Sequence, residues 1–252
     1  MRRISSTEAQ NNFGRLLMLA QEQDIIITRN GQDVAIMTAF QPKRDGSRLA
    51  ESALVRGYGL TKATYEEFLD LTKESEDRYE YIDGEIFLLA SPKTDHQLTL
   101  TELFGAFYRF FDGTECIPIA APYDITIKRW PEDINVVQPD LMVICDMAEY
   151  LGDDGYYKGV PVLVCEILSE ASRLHDLVKK LSLYMDGGVR EYWIADPLNK
   201  TVVVYGFEAG RIAHHLTFKA PEHAHSILFP ELIVDLERVF RTLRNRGSAV
   251  SD

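Results

Sequence analysis

Val160-Pro161-Val162-Leu163-Val164-Cys165-Glu166-Ile167-Leu168 is the stretch that decides the fold, because every residue in it except Glu166 is apolar. A strand that is apolar on both faces usually lies in the centre of a sheet that is covered on both sides. Helical patterns precede and follow this stretch, at residues 96–111 and 172–185, and further strand patterns surround them. This order predicts an α/β or α+β fold, in which helices flank a sheet of mixed strand direction.

The single charged residue of this stretch is unusual for its position. Burying an unpaired carboxylate costs several kcal/mol, so Glu166 needs a cation, a metal ion or a proton as its partner. A second apolar run, residues 136–145, carries a second acid, Asp140. Two acids in neighbouring apolar strands could hold one divalent metal ion, whose hard character suits carboxylate oxygens. The alternative is that each acid ends a strand in water or beside an arginine.

The helix predicted at 172–185 places two lysines differently. Its apolar residues form one face, and Lys179 points away from that face into solvent. Lys180 lies at the border of the apolar face, on a polar stripe with Asp176 and Tyr184. Its long stem could pack while the ammonium reaches inward. Equally, Asp176 and Lys180 could form an ion pair, four residues apart, on a solvated flank.

The charge of the chain is unevenly distributed. The 252 residues carry a formal net charge of −12. Residues 1–50 contain seven basic and five acidic residues, a net of +2, so the remainder carries −14. This balance argues against a protein that coats nucleic acid over its whole surface, although a local basic patch or a carboxylate metal site remains compatible with it. The uneven charge and the polar stretch after residue 41, which contains proline and glycine, indicate a division of the chain. We predict a module at 1–45, a linker at 46–60, a domain at 61–240 and a tail at 241–252.

The cysteines and the terminus indicate a compartment. Cys116, Cys145 and Cys165 are far apart and form no C-x-x-C pair, which favours reduced, buried thiols in a cytoplasmic protein. The N-terminus lacks an apolar signal region, and no apolar run is long enough to cross a membrane. We therefore expect a cytoplasmic protein without membrane contact.

Several short motifs occur in a specific order over residues 61–240. They are Arg78 to Glu85, Pro92 with His96, Pro139-Asp140, Glu166 to Ser169, Asp176 with Lys180 and Tyr184, and Gly188 to Pro197. Together they resemble the Uma family of endonucleases, which belongs to the PD-(D/E)xK nuclease superfamily. The resemblance implies a restriction-endonuclease-like mixed sheet flanked by helices. It also implies a Mg²⁺-dependent endodeoxyribonuclease that hydrolyses phosphodiester bonds.

The resemblance to the Uma family implies a set of site residues. Asp140 and Glu166 would hold Mg²⁺ or Mn²⁺, and Glu80 matches a further acid of the family pattern. Leu168 stands where the superfamily expects a lysine, which in this family is thought to have moved to the next helix, at Lys180. The accessory residues that the resemblance implies are His96, Asp176 and Tyr184.

The first forty residues have a separate pattern, a helix at 9–20 followed by a hairpin whose turn contains Asn30-Gly31. Ile4 to Ala9, Asn12 to Gly14, Ile27 to Gly31 and Val34 to Met37 resemble the Phd/YefM antitoxins. This resemblance implies a homodimer, DNA contact through Arg29 and Asn30, and a protein partner of the toxin–antitoxin type. Gln10 stands where members of that family often carry arginine, which argues against strong DNA binding.

Three functions follow from these observations. The first is a metal-dependent DNA endonuclease with an N-terminal module that dimerises or binds DNA. The second is a non-catalytic, antitoxin-like transcriptional regulator with a degenerate nuclease fold. The third is a structural protein in which Asp140, Glu166 and Lys180 form a buried ion cluster. We favour the first, because every expected site residue is present.

Overall fold

The computed structural model describes residues 2–5, 24–29, 31–37, 62–169 and 179–241. The chain divides into two compact units, residues 1–49 and 50–252. Several sequence predictions lie outside the described residues. These are the helix at 9–20, Asn30, the linker at 46–60, Asp176 with most of the helix around it, and all of the tail except Arg241.

The first unit contains a three-stranded sheet. Its strands are β1 (Arg2–Ser5), β2 (Ile25–Arg29) and β3 (Gln32–Met37), and they lie in the order β1-β2-β3. The predicted hairpin is β2 and β3, with Gly31 at a φ of 78° in its turn, a conformation that favours glycine. Strand β1 pairs with β2 in parallel, and Ile4 and Ile25 are buried together. The parallel pairing is non-local, and the sequence pattern did not predict β1.

The second unit is built on a mixed six-stranded sheet. Its strands are β6 (Ile117–Ala120), β9 (Leu141–Ile144), β10 (Leu163–Ile167), β11 (Glu191–Asp196), β12 (Thr201–Glu208) and β13 (Arg211–Lys219). They lie in the order β6-β9-β10-β11-β12-β13. Strands β10 and β11 are parallel, and the other neighbouring pairs are antiparallel. The predicted sheet of mixed direction is therefore confirmed, with the decisive stretch at its centre.

A second, antiparallel sheet lies in the same unit. Its strands are β4 (Tyr79–Ile82), β5 (Glu85–Leu88), β7 (Ile125–Ile127) and β8 (Asn135–Val137), in the order β5-β4-β8-β7. A short ladder joins β14 (His223–His225) to β15 (Ile233–Asp235). The helices are α1 (Tyr65–Glu74), α2 (Thr94–Phe111), α3 (Met147–Tyr150), α4 (Leu181–Asp186) and α5 (Leu236–Val239).

Two runs that the sequence predicts as single strands are each divided between the two sheets. Residues 117–127 form β6 and β7, and residues 136–145 form β8 and β9. Pro122 and Pro139 lie at the two breaks, and proline has no N–H to donate to a strand ladder. Asp140 is therefore not an interior strand residue, as we expected, but the residue at which the chain enters the six-stranded sheet.

The six-stranded sheet has a hydrophobic core on each face. On one face, Leu103 and Phe107 of α2 pack against the sheet, and the ring of Phe107 meets that of Trp193 edge-on at 5.4 Å. On the other face, Leu181 and Tyr184 of α4 pack against the sheet. Cys165 belongs to the first core and Val164 to the second. Because side chains alternate along a strand, Glu166 points to the α4 side.

The cysteines differ from the prediction. Cys116 and Cys145 form a disulfide, with their Cα atoms 3.9 Å apart, whereas Cys165 is free and buried. The register of β6 and β9 pairs Ile117 with Ile144, which places the two residues just beyond them opposite each other. The prediction of three reduced thiols was therefore wrong for two of them, and the cysteines lend no support to a cytoplasmic location.

Candidate active site

Lys180 lies at the centre of a buried cluster of charges. Its Nζ atom donates to Glu80 Oε1 at 2.8 Å and to Glu166 Oε1 at 2.9 Å. Between 0% and 4% of each of these three side chains is exposed. The lysine comes from the turn before α4, Glu80 from β4 and Glu166 from β10, so the ammonium joins the two sheets. Of the two positions that the sequence left open for Lys180, the structure shows the inward one.

Each glutamate has a further hydrogen-bond donor. The backbone N–H of Gln138 donates to Glu80 Oε1 at 2.9 Å, and the hydroxyl of Tyr184 donates to Glu166 Oε1 at 2.7 Å. Tyr184 lies one helical turn after Lys180, so the two side chains reach the same carboxylate from one side of the helix. Charge-assisted bonds of this kind fix the orientation of both carboxylates.

Asp140 is held beside Glu166 by the backbone of β10. Its Oδ2 atom accepts the N–H of Ile167 at 2.8 Å and lies 3.2 Å from Nε2 of His96. Because Ile167 follows Glu166 directly, the two acids of the sequence prediction are neighbours across β9 and β10. The side chain of Asp140 is 20% exposed, and it is the most accessible of these carboxylates.

These side chains line one cavity of about 340 Å³. Its polar wall includes Glu80, Asp140, Glu166, Lys180 and His96, together with Arg78, Ser91, Lys93, Gln97, Gln138 and Ser169. The apolar part comes from residues of the loop after β5, from α2 and from the break after β6, and it includes Leu89, Pro92, Leu100 and Pro122. The cavity therefore combines a wall of acidic and basic side chains with an apolar one.

Three buried atoms in the cavity wall have no hydrogen-bond partner within the described part of the chain. They are Glu80 Oε2, Gln138 Oε1 and His96 Nδ1. With Nε2 of His96 donating to Asp140, all three are acceptors. Leaving a buried acceptor unpaired costs about 1–3 kcal/mol, so the wall is suited to a cation or to water that donates hydrogen bonds. Nearby, burial raises the pKa of the Cys165 thiol, and the charges of Asp140 and Glu166 raise it further.

The structure brings together most of the residues predicted from sequence. Glu80, Asp140, Glu166, Lys180 and His96 line the cavity, and Tyr184 contacts it through Glu166. Arg29 is exposed at the end of β2, in the other unit. Asn30 and Asp176 lie outside the described residues.

The prediction that Lys179 points into solvent was wrong. Its Nζ atom pairs with Glu85 and lies 4.9 Å from the centre of the Phe87 ring, with 33% of the side chain exposed. Helical periodicity describes only the helix itself. It could not show that β5 packs against this turn of the chain. Gln138 was also missed, although a polar residue directly before Pro139-Asp140 in an apolar run was a usable signal.

Not every buried acid belongs to the cavity. Glu191 is fully buried, and its carboxylate accepts from the indole of Trp193 at 2.5 Å and from the backbone N–H of Ile227 at 2.8 Å. The bond from Ile227 joins β11 to the segment before β15. Glu191 therefore has a structural role. Within the residues that the structure describes, no group of three His, Cys, Asp or Glu side chains is placed to hold a metal ion. A metal ion in the cavity would therefore have at most two carboxylate ligands, with water or substrate oxygens completing its shell.

Comparisons with known proteins identify the families to which the two parts of the chain are similar. Residues 65–237 match the model of the Uma2 family, described as "Putative restriction endonuclease", and residues 1–42 match the Phd_YefM antitoxin of type II toxin–antitoxin systems. An uncharacterized protein of Synechocystis sp. (strain PCC 6803) is 27% identical over 123 residues, which are 49% of this chain and 62% of that protein. Both resemblances inferred from the sequence are confirmed.

A solved structure shares the fold. The crystal structure of a protein from Anabaena variabilis, titled a "putative nuclease belonging to DUF820", matches with a TM-score of 0.54 and 22% identity. The match covers 69% of this chain and 96% of that one. At this identity the likeness shows the fold alone, and it confirms the predicted fold class. In the described part of the chain, no helix is long and apolar enough to span a membrane.

Proposed function

Because the chain belongs to the Uma2 family of restriction-endonuclease-like proteins, we propose that it is a metal-dependent endonuclease that hydrolyses phosphodiester bonds of DNA. The observation that carries the proposal is the position of Lys180, buried between Glu80 and Glu166 in the wall of the cavity that Asp140 also lines. Two carboxylates on adjacent strands with a lysine beside them form a charge arrangement suited to a phosphate and a divalent cation.

The donor set of the cavity fits Mg²⁺ or Mn²⁺. Mg²⁺ is usually bound through one or two carboxylates, with water and substrate phosphate oxygens as its other ligands. Asp140 and Glu166 would supply these carboxylates, and Asp140 Oδ1 makes no hydrogen bond to any described residue. The unpaired acceptors Glu80 Oε2 and Gln138 Oε1 would receive hydrogen bonds from coordinated water. When bound, the ion would polarise the scissile phosphate and lower the pKa of a water molecule.

The residues of this chain would then perform distinct tasks. The N–H of Ile167 and the ring of His96 keep Asp140 in one orientation through its Oδ2 atom, which would leave Oδ1 for the ion. The ammonium of Lys180 would orient the attacking water or stabilise the negative charge that develops on the phosphate. Glu80, whose Oε2 atom has no partner in the described part of the chain, would accept a proton from that water.

Metal-dependent cleavage of plasmid DNA tests this function. The full-length protein is incubated with supercoiled plasmid in Mg²⁺, in Mn²⁺ and in EDTA, and the products are resolved on an agarose gel. We expect nicked and linear products with either metal and none in EDTA. The absence of products with both metals, from a folded protein, would instead support the regulator with a degenerate nuclease fold.

The N-terminal module suggests a second role in the same protein. The match of residues 1–42 to the Phd_YefM antitoxins supports a module that binds DNA or dimerises, and that contacts a protein of the toxin–antitoxin type. We propose that it recruits the nuclease domain to DNA as a homodimer, because two copies of the cavity could address both strands of a duplex.

Replacing Arg29 by alanine is expected to weaken DNA binding by this module. Arg29 is exposed at the end of the hairpin strand, where a guanidinium can reach a phosphate. Loss of one phosphate contact should reduce the slope of log K against log salt by about 0.9 and the affinity by roughly five-fold. The measurement is fluorescence anisotropy with a duplex from the region upstream of the gene. The control is Arg3→Ala, because Arg3 is already paired with Asp33 at 3.0 Å. Equal affinities of Arg29→Ala and wild type would leave dimerisation as the role of the module.

A further inference from the structure

Arg78 is a basic residue in the wall of the cavity, half-buried and directly before β4. Its backbone C=O accepts from the N–H of Leu89 at 2.9 Å, which extends the pairing of β4 with β5 by one residue. Because side chains alternate along an extended strand, Arg78 and Glu80 project from the same face, with their Cα atoms about 6.6 Å apart. The strand therefore brings a guanidinium and a carboxylate of the buried cluster into one cavity.

The guanidinium of Arg78 makes no hydrogen bond and no ion pair with the residues that the structure describes. Lys180, in the same wall, donates instead to two glutamates. Glu76 and Asp77, which precede Arg78 in the sequence, are exposed and do not pair with it. A charge that is partly withdrawn from water without a counter-ion loses hydration and gains no electrostatic compensation. Arg78 is therefore suited to an anion that arrives from solution.

The charges of the cavity wall balance, in a chain whose net charge is −12. Within the described chain, the charged residues of the wall are three acids and three bases: Glu80, Asp140, Glu166, Arg78, Lys93 and Lys180. Their formal charges cancel, and one divalent ion at the carboxylates would give the wall a net positive charge. The wall would then attract a polyanion, so that binding of the ion and binding of a phosphate support each other.

The position of Arg78 separates it from the reacting phosphate. A group that contacts the scissile phosphate would lie beside the carboxylates that hold the ion, as Lys180 lies beside Glu80 and Glu166. Arg78 forms no ion pair with these two acids or with Asp140. Its planar fork matches two oxygens of one phosphate, a group that DNA presents at every linkage. The phosphate within its reach is therefore a neighbour of the scissile one.

We propose that Arg78 binds the phosphate next to the scissile one on the substrate strand, through both arms of its guanidinium fork. This inference rests on the proposed nuclease function and adds a residue that holds the substrate. Arg78 makes the same contact in the bound substrate and in the transition state. It therefore fixes the register of the strand against Asp140 and Glu166 without entering the chemical step.

Replacing Arg78 by alanine tests this contact. The affinity of the full-length protein for a fluorescein-labelled duplex is measured by anisotropy in Ca²⁺ at several salt concentrations, with phosphorothioate linkages to prevent cleavage. Arg78→Ala should raise Kd at least about five-fold and reduce the slope of log Kd against log salt by about 0.9. Arg78→Lys, which keeps the charge and loses the fork, should keep the slope of wild type. In Mg²⁺, cleavage of plasmid by Arg78→Ala should show a higher KM with an unchanged kcat.

The matched control is Arg238→Ala, which removes the same charge from the chain. Arg238 is paired with Glu102 at 2.7 Å and does not line the cavity, so its loss should leave Kd and the salt slope unchanged. Because Arg78 has no partner to lose within the described residues, Arg78→Ala should unfold in urea at the midpoint of wild type. An unchanged Kd, an equal rise of Kd in Arg238→Ala, or a lower midpoint of unfolding would overturn the proposal.

The kinetic constants separate this contact from a role in the chemistry. A lower kcat of Arg78→Ala with an unchanged KM would place the guanidinium at the scissile phosphate and would also overturn the proposal. If wild type cleaves no DNA, the nuclease function fails, and Kd and the salt slope still decide whether Arg78 binds a phosphate.

Discussion

Replacing Lys180 by methionine is expected to lower the free energy of unfolding by about 3–5 kcal/mol. The ammonium is the shared partner of Glu80 and Glu166, which are at most 4% exposed, and its removal would leave two like charges facing each other without a cation. Methionine approximates the length of the stem, so the loss reports the charge rather than a cavity. The measurement is urea denaturation followed by circular dichroism.

The adjacent lysine supplies the control for this variant. Lys179 pairs with Glu85 while one third of its side chain is exposed to solvent, and Lys179→Met should cost less than about 1 kcal/mol. Adding Glu80→Gln to Lys180→Met removes one of the two opposed charges and should recover part of the loss. A Lys180→Met protein as stable as wild type, or a double variant less stable than the single one, would show that the cluster is not held together by this lysine.

Replacing Glu166 by glutamine is expected to lower the rate of plasmid cleavage by roughly 10³-fold. The amide oxygen can still accept from Tyr184, and Lys180 keeps Glu80 as its partner, so the fold should persist. What is lost is the negative charge that, with Asp140, would bind the metal ion. Initial rates of supercoiled plasmid conversion in Mg²⁺ measure the effect.

The matched control for Glu166→Gln is Glu85→Gln. Glu85 is also paired with a lysine, but it does not line the cavity. It should cleave at the rate of wild type. If Glu166→Gln cleaves as fast as Glu85→Gln, then Glu166 is a structural acid, comparable to Glu191.

The central strand of the fold and most of the candidate site could be predicted from the sequence alone. An acid inside an apolar strand violates the usual burial rule, and Glu166 therefore stood out without any structure. Asp140 lies beside Glu166, as we predicted, but it does not lie inside a strand. The alternation of side chains continues through Pro139, whereas the hydrogen-bond ladder does not. Local patterns carry little information about the sheet to which a strand belongs.

Other features depend on contacts between distant parts of the chain. Lys180 and Glu80 are 100 residues apart, and only the packing of β4 against the turn before α4 makes them partners. The disulfide likewise follows from the register of β6 with β9, which cysteine spacing does not encode. The family resemblance supplied Glu80 as a site residue, whereas periodicity could not have found it.

The most direct test of the account compares wild type with Asp140→Asn in the plasmid assay. Asparagine keeps an oxygen that can accept from the N–H of Ile167, so the variant should fold as wild type does and lose only the charge that would hold the metal ion. We predict that wild type converts supercoiled plasmid in Mg²⁺ or Mn²⁺ and not in EDTA, while Asp140→Asn leaves it intact under all three conditions. Equal conversion by the two proteins would contradict the assignment of the cavity as the active site.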